Sequence, residues 1–240
     1  KSPTLNNSKA SGCCALMVLY CFIKGVSETG ALPDCPTAVF MIASTPFLQS
    51  PSYLFLPGFS KPHLMRFLKN SELGRPQLDQ FKQLKKMPVT VVLDNIRSGS
   101  NVGAIFRTAD AFAAQEILLC GITACPPDRE ILKTALGATE SVKWRHFSST
   151  LDALKELKES GYRILAIEQA DTSIYLNEFN FDLENECLAL VFGNEVKGVD
   201  DALIPLLDGC LEIPQFGTKH SLNVSVCAGV VLWELFSQYK

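Results

Sequence analysis

Four nearly continuous apolar runs, at residues 89–93, 115–120, 161–167 and 187–192, constrain this chain more than any other feature. Between and after them lie stretches with helical spacing, near 102–113, 129–136, 149–160 and 200–207. A strand without polar alternate positions must be covered on both faces, and strands that alternate with helices pair in parallel. Shorter runs at 141–147 and 210–214 read as further strands. A polar helix is expected over 71–86, ending near Pro88, and a final helix over 223–238. The pattern predicts an α/β domain: a parallel sheet with helices on both faces.

The composition suits one compact domain, or one domain with an appendage. Of 240 residues, 47% are hydrophobic and 20% charged, enough for a sizeable core. The net charge of −3 does not mark a nucleic-acid binder. Charge is uneven, however. Residues 61–107 carry Lys61, Arg66, Lys69, Arg75, Lys82, Lys85, Lys86, Arg97 and Arg107 against Glu72, Asp79 and Asp94. This is either a basic patch on an acidic protein or an ordinary solvated helix face. The nine cysteines form no C-x-x-C pair and only three histidines accompany them, so no metal site is expected. Cys120, Cys187 and Cys227 lie in apolar surroundings where a free thiol packs as a small hydrophobe, which fits a reducing cytoplasm.

Residues 1–64 read differently. They hold seven of the thirteen prolines (Pro3, Pro33, Pro36, Pro46, Pro51, Pro57 and Pro62), few charges, and no sustained period of 3.6 or 2.0. The run "GCCALMVLYCFI" is too short to span a membrane and makes at best a weak signal-peptide core. The expectation is an irregular extension over 1–64, upstream of a domain over 65–240 that folds and acts alone.

Parallel sheets bind ligands outside the carboxyl ends of their strands, and there this sequence turns polar and glycine-bearing. "NIRSGSNVGAIFRTAD" follows the first run, "FGNEVKG" the run at 187–192, and "IPQFGTKHSLNVSV" leads into the last helix. Gly99 and Gly103 have the wrong spacing for a dinucleotide fingerprint, and "GNEVKGV" lacks the form of a Walker loop. A hydride-transferring dehydrogenase is thereby demoted, although the fold class would host one.

In order, the three segments resemble the three motifs of the SpoU/TrmH branch of the SPOUT methyltransferases, which methylate ribose 2′-hydroxyls in tRNA or rRNA. "N-x-x-x-x-x-N-x-G-A-I-x-R-T-A-D" resembles the first, "F-G-N-E-x-x-G" the second, and "I-P-x-x-G-x-x-x-S-L-N-V-S-V" the third. The resemblance implies a sheet whose C-terminal part forms a trefoil knot, which periodicity alone would never suggest. It implies S-adenosylmethionine as cofactor, held by the loops around Gly193, Ile213 and Leu222; ordinary core packing is the competing role for Ile213 and Leu222. It also implies that Asn101 and Arg107 belong to the catalytic part of the first motif. Glu195, Ser221 and Asn223 match positions near the reacting groups. Asn101 is expected to cap a helix that starts near residue 102, with Arg107 reaching the same region from further along it. The alternative for Arg107 is a surface ion pair, and for Asn223 a cap on the last helix. His220 reads as incidental.

A catalytically silent RNA-binding protein on the same fold is the other reading, against which the intact polar set argues. Arg75, Lys82, Lys85 and Lys86 form a candidate phosphate-gripping patch. The resemblance to compact tRNA-directed members favours tRNA, with a D-loop guanosine as target, over rRNA. A last helix apolar on more than one face, together with the dimeric family, implies a homodimer.

Overall fold

The computed structural model describes residues 66–182 and 184–239; the expectations for residues 1–64, and the boundary beside them, fall outside the described residues. The first described segment departs from expectation. In place of one helix over 71–86 there is a 3-10 turn, Asn70–Glu72, and a short helix, α1 (Leu78–Gln83). The break falls at Gly74, with φ of +59°, and Pro76. Proline supplies no N–H, and the residue before it is pushed out of the helical region.

From β1 (Met87–Asp94) the predicted alternation holds. It continues through α2 (Gly99–Ala111), β2 (Ala114–Cys120), α3 (Arg129–Ala135), α4 (Ala138–Ser141), β3 (Trp144–Phe147), α5 (Thr150–Glu159) and β4 (Arg163–Ile167). A two-residue strand, β5 (Ile174–Tyr175), comes next, which periodicity cannot detect. β6 (Leu188–Phe192), β7 (Gly209–Glu212) and α6 (Val224–Tyr239) complete the chain. The segment expected as a helix over 200–207 is a 3-10 helix, Asp201–Leu206, because Pro205 inside it cannot donate to a helical ladder.

The seven strands form one sheet in the order β3-β2-β1-β6-β4-β7-β5, with every pairing parallel. From β1 the chain steps outward through β2 to β3, then crosses to β4 on the other side. Right-handed crossovers require the connecting helices to change face when the direction reverses, and they do. Val89, Val91, Leu93, Ile117, Leu119, Leu190 and Phe192 pack against Val102, Ile105 and Phe106 of α2, Ile131 of α3, and Val231 and Leu235 of α6. The alternate residues Val92, Leu118, Ala189 and Val191 pack on the opposite face against Ala153, Leu154 and Leu157 of α5 and Leu203. Period-2 alternation thus feeds two cores, which is why the strands carry apolar residues on both sides. The late strands β6 and β7 are inserted among earlier ones. That is the part of the chain to which the family resemblance assigns the knot.

Candidate active site

Strands β1, β4, β6 and β7 end at Asp94, Ile167, Phe192 and Glu212, all on one edge of the sheet. The three motif segments leave the sheet at this edge. Asn95 ties them at the base. Its backbone adopts the left-handed conformation, φ 55°, which asparagine tolerates better than most residues. Its carbonyl accepts from Asn194 Nδ2 at 2.7 Å, and its Oδ1 accepts from the Ile122 N–H at 3.1 Å. One residue thereby joins the ends of β1, β2 and β6.

The loop after β6 folds back on itself. Asn194 and Gly198 exchange two backbone hydrogen bonds of 2.9 and 3.0 Å, and Asn194 Oδ1 accepts from the N–H groups of Val196 and Lys197. A Cβ on Gly193 would stand 2.2 Å from Gly198 C and Val199 N. Gly193 does line the cleft, but glycine is required there by the returning loop itself. Gly103 has a comparable reason: a Cβ there would stand 2.1 Å from Thr134 Oγ1 and 2.4 Å from the Ile131 carbonyl, so α2 and α3 pack backbone to backbone.

Above this base the expected polar residues form a chain. Glu195 Oε2 accepts from the Arg97 N–H at 3.0 Å, and Oε1 accepts from the Ser98 N–H at 3.3 Å and from Asn101 Nδ2 at 3.2 Å. Asn101 Oδ1 in turn accepts from Asn223 Nδ2 at 3.2 Å. Asn223 Oδ1 accepts from the Ser225 N–H at 2.9 Å and from Ser225 Oγ at 2.6 Å, capping α6. Asn223 therefore both caps a helix and joins the polar chain. The cap of α2 is Ser98, whose side chain accepts from the Asn101 N–H, and the helix starts at Gly99. This corrects the expectation that Asn101 caps: Asn101 lies inside the first turn, which frees its amide to bridge the second and third motifs. Partial burial pushes the Glu195 carboxyl upward in pKa, but its hydrogen bonds from Arg97, its own N–H, Asn101 and Ser98 outweigh that and hold it below its ordinary range.

Beside this chain opens a cleft of about 650 Å³. Gly193, Ile213 and Leu222 line it with Phe192, Leu211 and Cys227, and Ser221 and His220 stand at the third-motif side. Glu168 and Glu212 contribute carboxylates; Glu212 accepts from Ser173 Oγ at 2.5 Å. Burial, aided by the charge of Glu168, pushes the Cys227 thiol up to about 11, which leaves it a protonated, apolar wall. The third-motif loop is strapped to β4 by Gln169, whose Nε2 donates to the His220 carbonyl at 2.8 Å. Sequence reasoning did not single out Gln169, Asn95 or Asn194; the last two are at least letters of the motifs, whereas nothing flags Gln169.

Arg107 stands apart from the cleft. It is exposed on the outer side of α2, in a groove with Thr108, Phe112, Lys133, Leu136 and Gly229. It makes no hydrogen bond or ion pair among the described residues, so the surface ion pair considered for it is not formed there. Its groove borders α6, whose outward face shows Val226, Val230 and Trp233, the last 57% exposed.

The basic residues lie at the other edge of the sheet. Lys82, Lys85 and Lys86 surround a cavity of about 700 Å³ with Gln115, at the start of β2, and Lys143, just before β3. Arg75 is exposed ahead of α1. An eight-residue strand separates this edge from the motif loops, about 25 Å at a strand's rise. Lys86 is committed internally: its Nζ donates to the Phe81 carbonyl at 2.6 Å and sits 3.0 Å from the centre of the Phe81 ring, and burial lowers its pKa. Lys82 and Lys85 remain as outward cations, while Lys143, although exposed, pairs with Glu116 at 3.2 Å. Among the described residues no cluster of histidine, cysteine and carboxylate could hold a metal ion, and no helix is long and apolar enough to cross a membrane.

A doubly covered parallel sheet with glycine-bearing loops around a cleft at its carboxyl edge defines an α/β protein built to hold a nucleotide-like ligand there. Comparison with known proteins narrows the class: the SpoU rRNA methylase family matches residues 88–233, more than half of the chain, and the chain belongs to that family. It is 33% identical over 156 residues to the 23S rRNA (guanosine-2'-O-)-methyltransferase RlmB of Neisseria meningitidis, covering 65% of this chain and 61% of that protein. It is 30% identical over 166 residues to the tRNA (guanosine(18)-2'-O)-methyltransferase of Thermus thermophilus, covering 69% and 83%. A Synechocystis protein named as an uncharacterized tRNA/rRNA methyltransferase is 34% identical over 173 residues, which span 70% of this chain and only 42% of that one. The chain thus matches less than two thirds of the length of two of these three relatives. Among solved structures, the A. aeolicus TrmH/SpoU tRNA modifying enzyme superposes with a TM-score of 0.59 at 26% identity, covering 67% of this chain and 80% of that one. The methyltransferase AviRb from Streptomyces viridochromogenes, solved with AdoMet, gives 0.57 at 26% identity, covering 68% and 64%.

Proposed function

We propose that this chain is an S-adenosylmethionine-dependent RNA 2′-O-ribose methyltransferase. The observation that carries the reading is the chain of hydrogen bonds from Glu195 through Asn101 to Asn223, which joins all three motifs at the rim of one cleft. The cleft fits the cofactor on its own terms. Its volume lies within the usual range for small-molecule sites, its walls combine aliphatic and aromatic carbon with loop backbone, and its carboxylates complement a cationic ligand. Gly193, Ile213 and Leu222 would hold the cofactor, chiefly through backbone groups. When bound, S-adenosylmethionine supplies an electrophilic methyl group on a sulfonium sulfur.

The protein's part is alignment. Asn101 has its amide fixed at both ends, donating to Glu195 and accepting from Asn223, so it presents one orientation to a ribose. Glu195 is an ionised anchor whose oxygens already receive three donors, and it does not serve as the proton acceptor. Ser221, exposed at the cleft, positions the substrate. Arg107 stands outside its own chain's cleft, so its part, steadying charge that develops on the 2′-oxygen and orienting a neighbouring phosphate, would be played across an assembly through the α6 face. The proton leaves through phosphate or water, because a guanidinium stays protonated.

The proposed assembly is a homodimer through the outward face of α6, where Val226, Val230 and Trp233 would otherwise remain in water. That face adjoins the Arg107 groove at Gly229, so a partner docked there also decides where the guanidinium reaches. The proposed substrate is tRNA, at a D-loop guanosine. The similar Thermus enzyme acts on tRNA by its name, and the matched core makes up 83% of it. Ribosomal RNA is the second reading, favoured by the similarity to RlmB. Incubation with labelled S-adenosylmethionine and purified tRNA or 23S rRNA, followed by mapping of the modified nucleotide, decides between them. Label in a tRNA D-loop guanosine supports the first; label only in rRNA replaces it with the second; no transfer to either removes the enzymatic reading.

A further inference from the structure

The loop at 194–198 is a wall with two sides. One side faces the cofactor cleft; the other faces a second cavity, of about 530 Å³, beyond the end of β1. The side chains in this cavity are unevenly committed. Asp94 is buried and receives Thr150 Oγ1 and Asn95 Nδ2, and Asp200 receives the Ala202 N–H. Arg97, Lys197 and Asp201 also line the cavity, yet the side chains of all three are exposed and make no hydrogen bond or ion pair among the described residues. The same cavity is lined by two aliphatic side chains that folding leaves in water, Ile122 at 69% exposure and Val196 at 75%.

Two free cations, two bare aliphatic surfaces and one free carboxylate match the parts of a nucleotide. Aliphatic walls take the face of a base, and the cations take its phosphate. A carboxylate with two open acceptor oxygens reads adjacent N–H donors. Guanine offers such a pair on its pairing edge, at N1 and the 2-amino group. Adenine and cytosine each present a ring acceptor beside their amino group, and uracil flanks its one N–H with carbonyls. We propose that this cavity seats a guanine nucleotide of the RNA substrate, with Asp201 reading the base edge, Ile122 and Val196 flanking its face, and Arg97 and Lys197 holding phosphate. The proposal rests on the reading of the chain as an RNA methyltransferase and gives that site a base preference. The Asn194 clamp makes the shared wall rigid, so a nucleotide seated against it is held at a fixed offset from the cofactor cleft.

The test uses the full chain and the four 5′-mononucleotides, followed by saturation-transfer NMR. S-adenosylhomocysteine fills the cofactor cleft first, so that adenine cannot bind there. GMP is expected to bind about tenfold more tightly than AMP, CMP or UMP, the usual worth of a two-donor base contact. Arg97→Ala and Lys197→Ala should each weaken all four nucleotides several-fold. Asp201→Asn should bring the guanine preference to near unity while leaving the other three unchanged. A guanine preference that survives Asp201→Asn, nucleotide binding indifferent to Arg97→Ala and Lys197→Ala, or no binding at all overturns the proposal. Calorimetry of S-adenosylhomocysteine alone is read separately. If it shows no binding, the cofactor reading fails, and the same titrations on the free protein still judge the cavity.

Discussion

Replacing Gly193 by alanine separates two reasons for a glycine at the mouth of the cleft. The new Cβ would lie 2.2 Å from Gly198 C and Val199 N, whereas carbon atoms settle at about 3.5 Å or more. The backbone at 198–199 must therefore retreat by more than about 1 Å. Such a shift breaks the paired bonds of 2.9 and 3.0 Å between Asn194 and Gly198. Two net hydrogen bonds are worth about 1–3 kcal/mol, and forcing an atom into packed backbone costs about 1–3 kcal/mol, partly relieved by the same shift. The expected loss is about 2–4 kcal/mol, or roughly 5–15 °C in Tm for a domain of this size. Thermal unfolding without cofactor measures it, and hydrogen exchange should show opening concentrated at residues 194–199. A Gly193→Ala variant that unfolds at the wild-type temperature with unchanged exchange, yet no longer binds S-adenosylmethionine, is the refuting result. The glycine would then serve ligand approach rather than the loop's own return.

Three further outcomes follow from the site. Arg107→Ala should remove methyl transfer while leaving cofactor affinity within about twofold by calorimetry, because Arg107 lies outside the cleft; Arg107→Lys should fail as well, since an ammonium cannot reproduce a planar fork. Glu195 is held below its ordinary value of 4.5, so the folded loop binds that proton less tightly than the unfolded chain. Its stabilisation is complete above the ordinary value and fades as pH falls through the folded one. Amide signals of Arg97 and Ser98 should titrate on that acid limb in the wild type and stay flat in Glu195→Gln. Trp233→Glu, on the outward face of α6, should weaken self-association by about 2–4 kcal/mol and give a monomer mass by light scattering, with the fold retained by circular dichroism.

Much of this architecture is a direct reading of side-chain pattern. The strands carry apolar residues on both faces because both faces are covered, and that pattern survives without knowledge of what covers them. The three polar segments stood out because each interrupts an apolar run at a strand's carboxyl end. Local chemistry also decided both helices that differ from expectation: Pro76 lies just ahead of the shortened α1, and Pro205 sits inside the 3-10 helix Asp201–Leu206. The role of Asn101 was not legible locally. Whether it caps α2 depends on whether the helix begins at Gly99 or near residue 102, a difference of one turn that periodicity does not resolve.

What the sequence determined by itself was the list of elements and the residues that turn polar at their ends. Strand order, and therefore proximity, belonged to tertiary structure. Asn101 lies 94 residues from Glu195 and 122 from Asn223 along the chain, and they meet because β6 is inserted beside β1 and α6 returns against α2. The same packing carries Arg107 to the outer side of α2, away from the cleft, although it lies only six residues from Asn101. At 100° per residue, six positions turn the side chain most of the way to the opposite side of the helix. Spacing in a motif records chain distance, whereas the face of the helix and the order of the strands decide which groups share a site.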